Sequence, residues 1–140
     1  AEEIEFLKKR SDELFMGKTF SCGMTMLYCM SELFKLPLDQ QVLDALNGIM
    51  EHRDYRMQCG LYKGALMFLG IYGAAKGWDR PKLNEVTKDF AAKFEEAYGS
   101  QKCYDIRGGK FQPTEPHDKC APTTEKGVLL AADFIKGLEA

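Results

Sequence analysis

A chain of 140 residues, 45% hydrophobic and 29% charged, is the length of one domain and can bury a core without covalent staples. Its formal charge of −2, with basic residues scattered among acidic ones, argues against a nucleic-acid partner. No apolar stretch reaches the roughly 20 residues that cross a bilayer, so no membrane span is expected.

Glu3 to Met16 reads as a first helix, with Ile4, Leu7, Leu14 and Phe15 at its apolar positions and Gly17 as its stop. Ser21 can cap a second helix from Cys22 to Phe34. Cys22, Met26, Cys29, Met30 and Leu33 recur at three- and four-residue spacing on one of its faces, a pattern that reads first as adaptable thioether core. Pro37 ends it. Asp39 can cap a third helix that runs to about Met50 and buries Val42, Leu43, Leu46 and Ile49. The polar stretch EHRDYRMQ follows and carries His52, which reads as a solvated imidazole because no partner is visible for it.

Cys59 to Gly73, CGLYKGALMFLGIYG, is apolar on nearly every side, with Lys63 as its single charge, and reads as a buried helix. Gly60, Gly64, Gly70 and Gly73 lie within it. Glycine costs about 1 kcal/mol against alanine in a helix interior, so its repeated use implies close approach of another group. Helix packing is the plain reading, and Gly60 and Gly64, one turn apart, are the candidates for admitting a cofactor. Cys59 opens this helix, where unpaired N–H groups and the positive end of the macrodipole favour a thiolate. Asp79 and Pro81 then read as the cap and first turn of a fifth helix. It would bury Leu83, Val86, Phe90, Phe94 and Ala97 and keep its charges in water.

From Gly99 to Thr123 the regular pattern disappears among the breakers Gly108, Gly109, Pro113, Pro116 and Pro122. A loop of this length is expected to be tied down, and Cys103 and Cys120 are the obvious ties. His117 reads as a loop histidine with a smaller claim to ligand or proton-acceptor duty. Thr123 or Thr124 caps a last helix through Val128, Leu129, Ala132, Ile135 and Leu138. The expected fold is a single all-α domain over residues 1–140, a bundle of about six helices with one long cysteine-bearing loop before the last.

Five cysteines do not pair evenly, and none of their spacings is that of a zinc knuckle, a CxxC redox motif or a bacterial ferredoxin. Their placement is more informative than their spacing. Cys22, Cys59 and Cys120 each fall at or just before a helix start, where converging dipoles would stabilise thiolates or a metal complex. Cys29 is left over as a packing residue.

These residues resemble the C_GCAxxG_C_C family of proteins described as redox-active, and the likeness extends over essentially the whole chain. Cys22 stands at the first cysteine position, Cys59-Gly60-Leu61-Tyr62-Lys63-Gly64 at the glycine motif, and Cys103 and Cys120 at the third and fourth positions. Leu61 departs from the alanine of the family, and Cys29 falls outside the pattern. The resemblance implies redox work by cysteine, and the joining of similar domains to haem-bearing ones implies electron transfer with a redox partner protein. No CxxCH is present for covalent haem.

Within that reading, Cys22, Cys59, Cys103 and Cys120 either ligate an iron–sulfur cluster, expected to be of the two-iron type, or cycle between dithiol and disulfide. The cluster is placed first because four sulfurs spread over the chain close a site better than they define one attacking pair. A structural zinc site on the same thiolates is a third reading. A helical interaction module with its loop stapled by disulfide is the reading of another class. The lack of a nucleotide or flavin fingerprint favours an electron carrier or redox sensor over an autonomous oxidoreductase. A homodimer is compatible with the glycine-rich faces. The charged, amphipathic N-terminus points to the cytoplasm, and the initial alanine leaves export after leader removal open.

Overall fold

The computed structural model describes residues 2–14, 22–51, 59–100 and 121–139, and among these it is all-α, with six helices and no strand. They are α1 (Glu2–Glu13), α2 (Cys22–Phe34), α3 (Gln40–Glu51), α4 (Gly60–Lys76), α5 (Arg80–Tyr98) and α6 (Ala121–Glu139). No helix among the described residues is long and apolar enough to cross a membrane.

Local chemistry sets the element boundaries. At the corner between α4 and α5, Gly77 takes φ 75° and its N–H bonds the Ala74 carbonyl, while the Trp78 N–H bonds the Gly73 carbonyl at 2.9 Å. This paired closure ends a helix because only a residue tolerant of positive φ can turn the chain there. Two residues later the Asp79 side chain accepts the Lys82 N–H at 2.9 Å and Pro81 sits in the first turn, so α5 starts as its sequence requires. Gly99, at φ 79°, closes α5.

Several expectations need correction. The last helix begins at Ala121, before either threonine, because Pro122 is well suited to a first turn. Thr123 and Thr124 therefore lie inside α6, and the fully buried Thr124 hydroxyl has no hydrogen-bond partner among the described residues. Ile4 and Ile49 are not core residues; they are 49% and 41% exposed. The buried face of α1 and of the residue just after it comprises Leu7, Ser11 and Leu14, and that of α3 Leu43 and Leu46, so the two isoleucines lie a turn outside the packing surface. The apolar stripe of α2 is also wider than expected, since Met24, Thr25 and Leu27 are buried along with Met26, Cys29 and Met30. Phe15, Gly17, Ser21, His52 and His117 lie outside the described residues.

α2 is central, packing on α1, α3, α4 and α6, while α5 packs on α4 and α6. Ring contacts establish the helix directions. Phe34, at the end of α2, lies 5.9 Å from both Phe68 and Tyr72 in the second half of α4, whereas Gly23 meets Gly64 near the start of α4. The two helices therefore run the same way. Tyr62 packs on Phe90 and Phe94, and Tyr72 on Trp78, so α5 runs back against α4. α6 again follows α4, because Gly127 faces Leu61 and the Tyr72 hydroxyl donates to Glu139 at 3.0 Å. Thus α2, α4 and α6 begin at one end of the bundle and α5 finishes there.

α2 and α4 approach each other glycine on glycine. A Cβ on Gly64 would lie 2.6 Å from the Gly23 carbonyl oxygen and 3.2 Å from the Gly23 Cα, so packing against α2 accounts for this residue. Gly73 likewise makes room for the Trp78 indole. Gly70 does not fit the expectation of close approach, since nothing lies within 4 Å of the position a Cβ would take.

These surroundings separate two chemically identical changes. Gly64→Ala forces backbone against backbone and is expected to destabilise by about 1–3 kcal/mol. Gly70→Ala meets open space and should stabilise by up to about 1 kcal/mol through helix propensity. Urea denaturation of both variants checks the contrast.

Candidate functional site

The end where α2, α4 and α6 begin carries the cysteines. Cys22 is the first residue of α2 and is half-buried. Cys59 occupies the N-cap position of α4 and is only 5% exposed. Parallel packing through Gly23 and Gly64 holds these two helix starts side by side, and the Cys22 side chain hydrogen-bonds Cys59. Neither is in a disulfide in the structure.

Electrostatics differentiate the pair. Cys59 ionises more readily than an ordinary thiol, chiefly because of the bond from Cys22. Burial works in the opposite direction. The backbone N–H groups of Leu61 and Tyr62 and the charge of Lys63 reinforce the lowering. Those amides point at the sulfur without closing a capping hydrogen bond of ordinary length. The sequence thus indicates the direction of the shift from the helix end alone, while the largest cause, a second thiol, comes from the tertiary fold.

Three residues that the sequence did not single out complete the surroundings. Tyr98, in the last turn of α5, donates its hydroxyl to the Thr123 carbonyl at 2.8 Å and so ties α5 to the first turn of α6. Its phenol is held neutral, first by burial and then by the negative charge of Cys59 and Cys22, which places it in the electrostatic field of the pair. Lys126 stacks over the Tyr98 ring at 4.7 Å and caps the Ala97 carbonyl at 2.9 Å. Gly127 accommodates Leu61: a Cβ there would come within 3.0 Å of both a Leu61 methyl and the Tyr98 oxygen. The bulkier residue in the glycine motif is matched by a missing side chain on the facing helix. Tyr98 could have been suspected from the sequence only as a polar aromatic at a helix end, which is a common occurrence.

Cys29 stands apart. It is fully buried among core residues, and its thiol is pushed up to about 12, first by burial and then by the charge of Glu32, with Arg10 opposing. Because the folded value exceeds the ordinary 9.0, the neutral thiol contributes stability that is complete below pH 9 and is lost as the pH rises towards about 12. Cys103 and Cys120 lie outside the described residues, although Cys120 directly precedes Ala121, the first residue of α6. Among the described residues no group of three or more metal-ligating side chains is gathered.

The fold and this pair define an all-α protein with two cysteines joined at a shared helix end. The family model described as "Putative redox-active protein (C_GCAxxG_C_C)" matches residues 20–134, and the chain belongs to that family. No curated protein and no solved structure matches the chain.

Thiolate absorbance in the ultraviolet, followed across pH as the difference between the wild type and Cys59→Ser, reads the electrostatics without any reagent reaching a buried sulfur. The Cys59 midpoint is expected below the ordinary 9.0 and should move up in Cys22→Ala, which removes the strongest influence lowering it. Cys29, read in the same way through Cys29→Ser, should stay protonated in the folded protein until the pH approaches about 12.

Proposed function

We propose that this protein carries out its redox work through Cys22 and Cys59, cycling between a dithiol and a disulfide. The observation that carries this reading is the hydrogen bond between the two side chains at the common start of α2 and α4. Two side chains already in hydrogen-bond contact at aligned helix starts are well placed to close a disulfide. Oxidation removes two electrons, joins the sulfurs and releases the remaining thiol proton, with an external disulfide as the acceptor. Stabilising the Cys59 thiolate favours the reduced form and makes this sulfur a good leaving group when the disulfide is reopened.

The pair also suits a second reading. The Tyr98–Thr123 bond and the Gly127–Leu61 contact bring the start of α6 to the same end of the bundle, and Cys120 immediately precedes that helix. Cys22 and Cys59 would then supply two thiolates of an iron–sulfur cluster, with Cys103 and Cys120 completing the set. Such a cluster would supply one-electron chemistry, with the Leu61 and Tyr62 amides tuning it. Gly60 would serve this reading by keeping the helix mouth open. A redox partner protein belongs to either reading.

Equilibration with dithiothreitol buffers after anaerobic purification tests the choice. A metal-free protein with one two-electron transition, lost in Cys22→Ser and in Cys59→Ser but retained in Cys29→Ser, is the expected result. Iron and acid-labile sulfide in the purified protein, lost on substitution of Cys103 or Cys120, would replace the dithiol by the cluster. Equal tolerance of serine at all five cysteines would end both.

A further inference from the structure

Although Cys22 and Cys59 touch, they face different surroundings. Cys59 is 5% exposed, and the residues that follow it, Gly60, Leu61 and Tyr62, are all buried. Cys22 retains partial exposure at the first turn of α2. Exchange at sulfur requires the attacking, central and leaving sulfurs to approach a line, so the attacked sulfur must be open on the side away from its partner. Cys59 belongs to the buried core and caps α4, and its 5% exposure leaves little room for such an approach.

We propose that electrons enter and leave the pair through Cys22, with Cys59 as the enclosed member that leaves when the disulfide opens and closes it when it forms. This assignment rests on the dithiol reading above. In the reducing direction an external thiolate attacks the Cys22 sulfur; an external S–S bond to Cys22 forms and the Cys22–Cys59 bond breaks. The electron pair goes to the Cys59 sulfur, where the amides of Leu61 and Tyr62 and the charge of Lys63 receive it. A second external thiolate then attacks the external sulfur of the mixed disulfide. Cys22 is released as a thiolate and takes a proton from solvent. The protein disulfide is reduced and two external thiols are oxidised to one disulfide. In the oxidising direction Cys22, after losing its proton, attacks an external disulfide and releases one external thiolate, and Cys59 then displaces the second external thiolate from Cys22 as the Cys22–Cys59 bond forms.

The order gives each sulfur a distinct role. Cys22 meets a thiol that reaches the helix end, whether small or on another protein, while Cys59 never bonds to the external reagent. A pair of equally exposed cysteines would show no such preference.

Wild-type protein oxidised by diamide, then treated with mercaptoethanesulfonate, acid-quenched and mapped by mass spectrometry, tests the order without substitution. The expected mixed disulfide is on Cys22. Glutathione disulfide with the Cys59→Ser and Cys22→Ser variants provides the second measurement, with adduct formation on Cys22 faster than on Cys59 by about tenfold or more. An adduct predominantly on Cys59, or comparable rates in the two variants, overturns the order and leaves the dithiol reading standing. If diamide forms no Cys22–Cys59 disulfide in the wild type, the dithiol reading fails and the order fails with it.

Discussion

The contact on which the rest depends is the one between Gly23 and Gly64. With no Cβ on Gly64, the backbone of α2 approaches α4 to a distance that any side chain would prevent, and it does so within the first turns of both helices. Since α2 and α4 run in the same direction, close packing at their starts necessarily brings their first residues together. Those residues are Cys22 and Cys59. A parallel pair needs a crossover, and α3 lies between them in the chain; α5 plays the same part between α4 and α6. The glycines thus act at the level of packing, and the chemistry of the site follows from the helix starts they align.

Gathering the positive ends of several helices is unfavourable unless something anionic sits there. A thiolate at the mouth of α4 meets that need, and the second thiol donates to it. Among the described residues the same end also carries the Tyr98 phenol bonded to α6, Lys126 over its ring and Lys63 beside Cys59, with the Glu95 carboxylate acting on Tyr62 from the end of α5. Cys29 shows what a thiol becomes in this protein without that environment. It lies seven residues further along α2 in an apolar interior, and burial keeps it protonated.

Much of the fold was legible in the sequence because its signals were local. Asp79 with Pro81, and Gly99 at the other end, bounded α5; the unbroken apolar run after Cys59 identified the buried α4; and Ser21 and Pro37, on either side of α2, marked its limits. Burial at the edges was less readable. Ile4 and Ile49 satisfy helical periodicity, but whether a facing helix extends far enough to cover them is a tertiary matter. The ionisation of Cys59 was readable in direction, whereas the thiol that dominates it is remote in sequence. Tyr98 and Gly127 were not readable, because their roles exist only where α5 and α6 meet α4. The readings of Cys103, Cys120 and the two histidines fall outside the described residues.

The central claim is that folding places the sulfurs of Cys22 and Cys59 within bonding reach of one another. Phenylarsine oxide, whose arsenic must bridge two neighbouring thiolates, tests this on the reduced native protein. The expected result is capture of arsenic by Cys22 and Cys59 together, mapped by mass spectrometry and abolished by unfolding in urea. Native protein that takes up no arsenic, or that bridges only pairs omitting these two residues, would contradict it.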